Sequence, residues 1–244
     1  MWTIARLNWP LYGIAAAVLG TSVMIFAMAA EAALKLISGL AAVGCVYFLA
    51  GSLGVSHLIY DRSGLYRWRW LDRALSGSAR NSFIFCHAGF DEASESLRDQ
   101  LGCGDWVVLD HFDEARMTEP SIRRARRLFP PVAGTLPAPM DRWPVPSGSA
   151  NVVFGLLAIH ELRSETERSA WFTEARRCVR EGGRVLLVEH TRDFANFVAF
   201  GPGALHFHSR GSWRRSWSSA GWQTIDEFPV TPWIRVFVLG SRHD

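Results

Sequence analysis

The sequence predicts an α/β domain built on a largely parallel sheet, preceded by a two-helix hairpin that crosses a membrane. Three observations predict it. First, there is no charged residue between Arg6 and Glu31, and none between Lys35 and Asp61. Second, the later runs Asn151-Val-Val-Phe-Gly-Leu-Leu-Ala-Ile and Arg184-Val-Leu-Leu-Val show no polar alternation, which marks strands buried on both faces. Third, a helix with a defined start lies between those two strands, so strand, crossover helix and strand form a βαβ unit.

A chain of 244 residues supports one good core and a small appendage. The net charge of +3 is mild, and no Arg/Lys block of the kind a phosphate track requires is present, so nucleic acid is not an expected partner. Lys35 is the only lysine. Cys45, Cys86, Cys103 and Cys178 lie far apart with no C-x-x-C, which calls for neither a cysteine zinc site nor a disulfide framework. Reduced thiols in a cytosolic domain are the expectation, and no metal is called for.

Residues 1–60 are expected to form the hairpin, with helices over about 10–30 and 36–59. Each charge-free run exceeds the roughly 20 residues that span a bilayer as a helix. Small residues such as Gly13, Ala16, Gly20, Gly39, Gly44 and Gly51 favour close helix packing in lipid. A cleaved signal peptide, with Arg6 as its basic start and Ala27-Met28-Ala29 as its cleavage site, leaves the second run unexplained. Buried soluble helices would normally keep a polar face, and neither run has one. Residues 61–80 mix Tyr66, Trp68 and Trp70 with Arg62, Arg67, Arg69 and Arg73. Aromatics settle at the headgroups and juxtamembrane arginines mark the cytoplasmic side, so both termini are expected there. An interfacial segment of this kind can also dock on the domain that follows.

From residue 81 onward the elements read in order. Phe83-Ile-Phe-Cys-His87 is a strand, followed by the turn Ala88-Gly-Phe-Asp-Glu-Ala-Ser94. Trp106-Val-Val-Leu-Asp110 is the second strand. Thr118 caps a helix with Pro120 in its first turn and Arg123 to Arg127 in its body. Phe129 to Ser149 is loop with at most a short edge strand near Thr135. Ser164 and Glu167 make a capping box, Trp171, Ala175, Cys178 and Val179 recur at helical spacing, and Gly182 with Gly183 end that helix. Phe194 to His208 is apolar and aromatic with glycine hinges. A helix from Trp213 ends near Gly221, and two strands, Gln223 to Glu227 and Ile234 to Leu239, close the chain with Pro229 and Pro232 between them.

An amide residue opening a strand, His160-Glu161-Leu at its end, and Glu174-Ala-Arg-Arg-Cys-Val-Arg-Glu-Gly-Gly-Arg-Val-Leu-Leu-Val-Glu-His190 resemble the middle of class I S-adenosylmethionine (SAM)-dependent methyltransferases. The resemblance runs from about Asn81 to Leu239. It implies a Rossmann-like, doubly wound, mostly parallel seven-stranded sheet with an antiparallel terminal strand, and SAM as cofactor. It places the cofactor at the turn of His87, Ala88, Gly89 and Asp91, with Asp110 on the ribose and Asp141 as a weaker candidate near the adenine. The family turn is G-x-G-x-G; here Gly89 alone is present, a degenerate form with less room for close backbone approach. Asn151 stands where many relatives carry Asp.

The function this implies is methyl transfer to a lipid-soluble or membrane-associated acceptor such as a quinone, isoprenoid or lipid. His160, Glu161 and His190, at strand ends, and His206, in the segment that shapes the acceptor pocket in the family, are the candidates for positioning or proton removal. The expected setting is a two-pass inner or cytoplasmic membrane protein with its catalytic domain in the cytoplasm, its partners the bilayer and a lipid-like small molecule. The alternative is a non-catalytic, membrane-tethered scaffold or ligand-binding module, which the degenerate turn favours. A nicotinamide-dependent reductase would want G-x-G-x-x-G after the first strand, and that is absent. Oligomeric state is not legible.

Overall fold

The structure is a computed structural model that describes residues 2–102 and 104–241. A short helix α1 (Trp2–Leu7) leads into α2 (Trp9–Met28) and α3 (Ala32–Ser56), and α3 continues as a π-helical turn over His57–Arg62. α2 and α3 pack as an antiparallel pair, with the Tyr12 hydroxyl 3.0 Å from Ser52 Oγ and the Tyr12 ring 5.9 Å from Phe48. Both are long and apolar enough to cross a membrane, and only 6% and 11% of their apolar windows are buried.

The domain follows with α4 (Leu71–Ala74), β1 (Ser82–His87), α5 (Ser94–Leu101), β2 (Asp105–Asp110), α6 (Pro120–Leu128), β3 (Leu136–Pro137) and β4 (Ala150–Leu156). It continues with α7 (Glu165–Cys178), β5 (Val179–His190), α8 (Phe194–Phe200), α9 (Arg210–Ser219), β6 (Trp222–Thr231) and β7 (Ile234–Ser241). The seven strands run in the order β3-β2-β1-β4-β5-β7-β6. β1 to β5 pair parallel, and β7 is antiparallel to both β5 and β6. The expected doubly wound sheet with an antiparallel end is therefore present.

Alternation along the buried strands sends Ile84, Cys86, Val153, Val185 and Leu187 to one face, where Trp171 and Phe172 of α7 and Trp213 and Trp217 of α9 cover them. Phe83, Phe85, Phe154, Leu186 and Val188 point to the other face. Part of that second cover is Ile59, Leu65, Trp68, Trp70, Leu71 and Leu75, from the segment that also reads as interfacial. Arg73 anchors it through a bidentate pair with Asp226 (2.7 and 3.0 Å), and Arg184 donates to the Ala74 carbonyl at 3.1 Å.

Local details depart from the sequence reading. The N-cap of α6 is Glu119, not Thr118, because Pro120 occupies the first helical turn and fixes the preceding residue as extended. The Ser164–Glu167 capping box forms in both directions. α7 ends at Cys178, and Val179 already pairs with Ala150; Gly182 (φ 74°) and Gly183 lie in the irregularity that follows within β5 rather than at the helix end. A side chain at Gly183 would stand 2.7 Å from the Asn151 carbonyl. Pro229 lies inside β6, at a register shift, and is tolerated because β6 is an edge strand. Cys45, Cys86 and Cys178 are free thiols; Cys103 lies outside the described residues.

His111, just after β2, is a satisfied core histidine. Its Nδ1 lies 2.8 Å from the Ala138 carbonyl, and Trp171 Nε1–H donates to its Nε2 at 3.0 Å. Burial pushes its pKa down to about 4. The unfolded chain, with a pKa of about 6.5, therefore binds a proton that the native state refuses. Stability from this group is full above pH 6.5 and is lost as pH falls toward 4, by about 3 kcal/mol. Denaturant unfolding at pH 7 and pH 4.5 in detergent checks this: His111→Gln should flatten the acid loss, and an unchanged slope would exclude His111 as a contributor.

Candidate active site

At the switch point between β1 and β4, beyond the carboxyl ends of the strands, lies a cavity of about 520 Å³. Ala88, Phe90, Glu92 and Ala93 from the β1–α5 turn form one wall, and Leu156 to Ala158 from the end of β4 form the floor. His160, Glu161, His190 and His206 line it as well. The wall opposite comes from the hairpin: Leu11, Tyr12, Phe48, Ser52 and Ser56. Leu157 adopts a left-handed backbone (φ 49°) at the floor, a conformation that costs energy for a branched side chain and clusters at functional turns.

The candidate cofactor residues divide. Ala88 faces the cavity. Gly89 has φ 89°, and its N–H donates to Asp110 Oδ1 at 2.9 Å. Phe112 and Ile122 occupy the space over Gly89, where an added Cβ would meet them at 2.7 and 3.1 Å. Asp110 also accepts from the Phe112 N–H at 3.0 Å and from the Arg126 guanidinium, which stacks on the Phe112 ring at 4.4 Å. Asp91 caps α5 by accepting from the Ala93 and Ser94 N–H groups (3.1 and 2.9 Å). The neighbour that faces the cavity is Glu92, hydrogen-bonded to the Tyr66 hydroxyl. His87 is buried 3.5 Å from Asp110 with neither ring nitrogen hydrogen-bonded, and burial lowers its pKa. Asp141 is exposed in the turn after β3 and does not line the cavity.

The four candidate catalytic residues come together. Ile159–Glu161 form a single 3₁₀ turn after β4. Glu189, fully buried at the end of β5, holds that turn: its Oε1 accepts from the N–H groups of Ala158, Ile159 and His160 at 3.1, 2.8 and 3.2 Å. Its Oε2 lies 2.7 Å from His160 Nδ1. His160 Nε2 is 3.4 Å from Glu161 Oε1, and the same oxygen is 3.5 Å from His206 Nε2. His206 Nδ1 is 3.1 Å from Glu119 Oε1, at the start of α6. Burial alone would lower the His160 pKa, but the Glu189 and Glu161 carboxylates raise it to about 10. Burial would raise Glu161, yet the two imidazoles hold it well below the usual carboxylate range. Burial likewise opposes a charge on His206, and Glu119 and Glu161 overcome it. His190 differs: burial pushes its pKa down to about 4, its Nδ1 lies 2.9 Å from Asn196 Oδ1, and its ring stacks on Phe207 at 4.6 Å.

Glu189, Glu119 and Glu92 escape the sequence reading. Glu189 had a signal, since it is the one charge inside an otherwise apolar buried strand end, Val185-Leu-Leu-Val-Glu-His190. Glu92 and Glu119 had none, because a turn glutamate and a glutamate before proline read as surface residues.

No protein-family model matches the chain, and no curated protein matches its sequence. Solved structures do match. A SAM-dependent methyltransferase from Aquifex aeolicus superposes with a TM-score of 0.55 at 14% identity, covering 75% of this chain and 92% of that one. The PH0226 protein from Pyrococcus horikoshii OT3 gives 0.53 at 10% identity, over 76% of this chain and 93% of that one. A LepI variant in complex with SAH and a substrate analogue gives 0.50 at 14% identity, over 70% of this chain but 46% of that one. With the strand order and the cavity at the switch point, this likeness establishes that the chain carries the class I SAM-dependent methyltransferase fold.

Proposed function

We propose that the protein is a membrane-anchored SAM-dependent methyltransferase whose acceptor is a lipid-soluble molecule, such as a quinone, isoprenoid or lipid, entering from the bilayer. The observation that carries this reading is the shared cavity: its floor is the carboxyl edge of the sheet, and its opposite wall is the hairpin. The lining is mostly apolar with a few convergent polar groups, as a lipid-like ligand requires. Phe194 (81% exposed), Phe197 and Leu205 stand free beside the hairpin, and the Tyr47 hydroxyl of α3 bonds the Val198 carbonyl of α8. The hairpin leaves both its ends at the domain, so both termini lie on the cytoplasmic side of the inner membrane in this reading.

The residues fit SAM at one end better than at the other. Glu92, facing the cavity, suits the ammonium and sulfonium charges, and Ala88 and Ala158 leave room for close approach. At the ribose end Asp110 already serves Gly89, Phe112 and Arg126. When bound, SAM supplies an electrophilic methyl group for in-line displacement. The protein positions the acceptor: Glu161 accepts the hydrogen bond of an acceptor hydroxyl and takes its proton as the oxygen gains the methyl group, His160 and His206 stabilise the negative charge developing on that oxygen, and Glu189 fixes the His160 ring. The neutral His190 with Phe200 and Phe207 closes the apolar side.

The prior commitment of Gly89 and Asp110 favours a second reading, a scaffold or ligand-binding module without methyl transfer. Calorimetry with SAM on the full chain in detergent separates the two. Binding is expected, and Glu92→Gln should weaken it by about 1.5–3 kcal/mol, the value of a hydrogen bond to a charged group. No heat of binding would favour the module.

A further inference from the structure

The His160, Glu161 and His206 donor atoms all lie within 4.8 Å of one another, and each side chain lines the cavity. We propose that these three residues bind a divalent transition metal of the zinc type, with the side facing the cavity taking an oxygen donor. Four features point there. Two imidazoles with one carboxylate suit a borderline metal, whereas magnesium and calcium want oxygen alone. Metal–nitrogen distances near 2.1 Å in a tetrahedral site put neighbouring ligand atoms about 3.4 Å apart. The spacings across Glu161 are already 3.4 and 3.5 Å.

The outer contacts match as well. Each imidazole presents Nε2 to the cluster and has a carboxylate on Nδ1, Glu189 at 2.7 Å for His160 and Glu119 at 3.1 Å for His206. Metal-bound histidines are held in that way, because the outer carboxylate fixes the tautomer and raises ligand basicity. Arg163 then ties the two ligand-bearing turns together, donating from Nη1 to the carbonyls of His160 (3.2 Å) and His206 (2.6 Å). The ligands arrive from two turns separated in sequence and the outer carboxylates from two further elements, so the fold has assembled the cluster.

A metal here would displace the protons on His160 and His206 Nε2 and make Glu161 a ligand, so that the metal takes over from these three groups the holding of the acceptor oxygen, lowering its pKa and making it nucleophilic at neutral pH. That role rests on the methyl-transfer reading; the metal site itself does not. The test therefore uses no SAM. Untagged full-length protein in detergent is stripped with a chelator and titrated with Co²⁺ or Zn²⁺ alone, followed by metal analysis and, for cobalt, visible absorption. One equivalent is expected, with cobalt bands of a low-coordinate nitrogen–oxygen site. His206→Gln should weaken binding at least about 100-fold, and Glu119→Gln, at a half-exposed position, about 10- to 100-fold. His57→Gln, at the exposed His57–Asp61 pair, should leave binding unchanged. Circular dichroism confirms that each variant is folded. Uptake below one equivalent, or wild-type affinity in folded His206→Gln and Glu119→Gln, overturns the proposal, whether or not SAM binds.

Discussion

Glu189→Ala is expected to destabilise the domain by about 3–5 kcal/mol, the range for breaking a buried charge pair by removing one partner. The carboxylate is fully buried, accepts three backbone N–H groups and faces His160 Nδ1. Alanine leaves three donors and an imidazole without their protein acceptor at a core strand end. Glu189→Gln is expected to be milder, because its amide oxygen still serves the backbone donors while its NH₂ group faces His160. That variant should fold yet lose the orientation of His160. Denaturant unfolding in detergent reads both. A loss under about 1 kcal/mol for the alanine variant would contradict the account of how the Ile159–Glu161 turn is held.

Removing residues 2–56 is expected to separate cofactor binding from acceptor use. The deletion retains Ile59 and the packed segment through Leu75, so the sheet keeps its cover. It removes Tyr12, Phe48, Ser52 and Ser56 from the cavity wall and exposes the α8 surface against which Tyr47 and Gly51 pack. SAM affinity should stay within about tenfold, since Ala88, Glu92 and the β4 end are intact. Transfer to an acceptor in vesicles should fall by on the order of 10²–10⁴, the range by which tethering raises effective concentration. An equal rate with and without the hairpin would show that the hairpin neither shapes the acceptor site nor brings it to the substrate.

Much of the fold was legible because buried parallel strands and long apolar helices both announce themselves by uninterrupted apolar runs. The Ser164–Glu167 box and the position of Asp110 at the end of β2 were legible from local chemistry. The segment 61–80 was read as interfacial, with docking on the domain as its other use, and its part from Leu65 to Leu75 packs as core; the two signals coincide, since Trp68 and Trp70 are buried while the flanking Arg67 and the intervening Arg69 are exposed. Trp68 also adopts φ 56°, which nothing in its neighbourhood foretells. The turn after β1 shows the limit at the site. Asp91 and Glu92 are adjacent acids, and only the start of α5 decides that the shorter one caps the helix and the longer one faces the cavity. His160, Glu161, His190 and His206 were singled out as candidates by their strand-end and loop positions, and they line one cavity; the outer carboxylates on His160 and His206 come from long-range pairing that no single-sequence pattern encodes.

The most direct measurement of the central claim is methyl transfer itself. Full-length protein in membranes receives SAM labelled in its methyl group, together with a total lipid extract or a soluble metabolite extract, and the products are partitioned between organic and aqueous phases. The account expects label in the organic phase, dependent on the full chain and lost in Glu161→Gln. Label confined to the aqueous phase at equal rates with and without residues 2–56 would contradict the lipid acceptor, and no label in either phase would contradict methyl transfer.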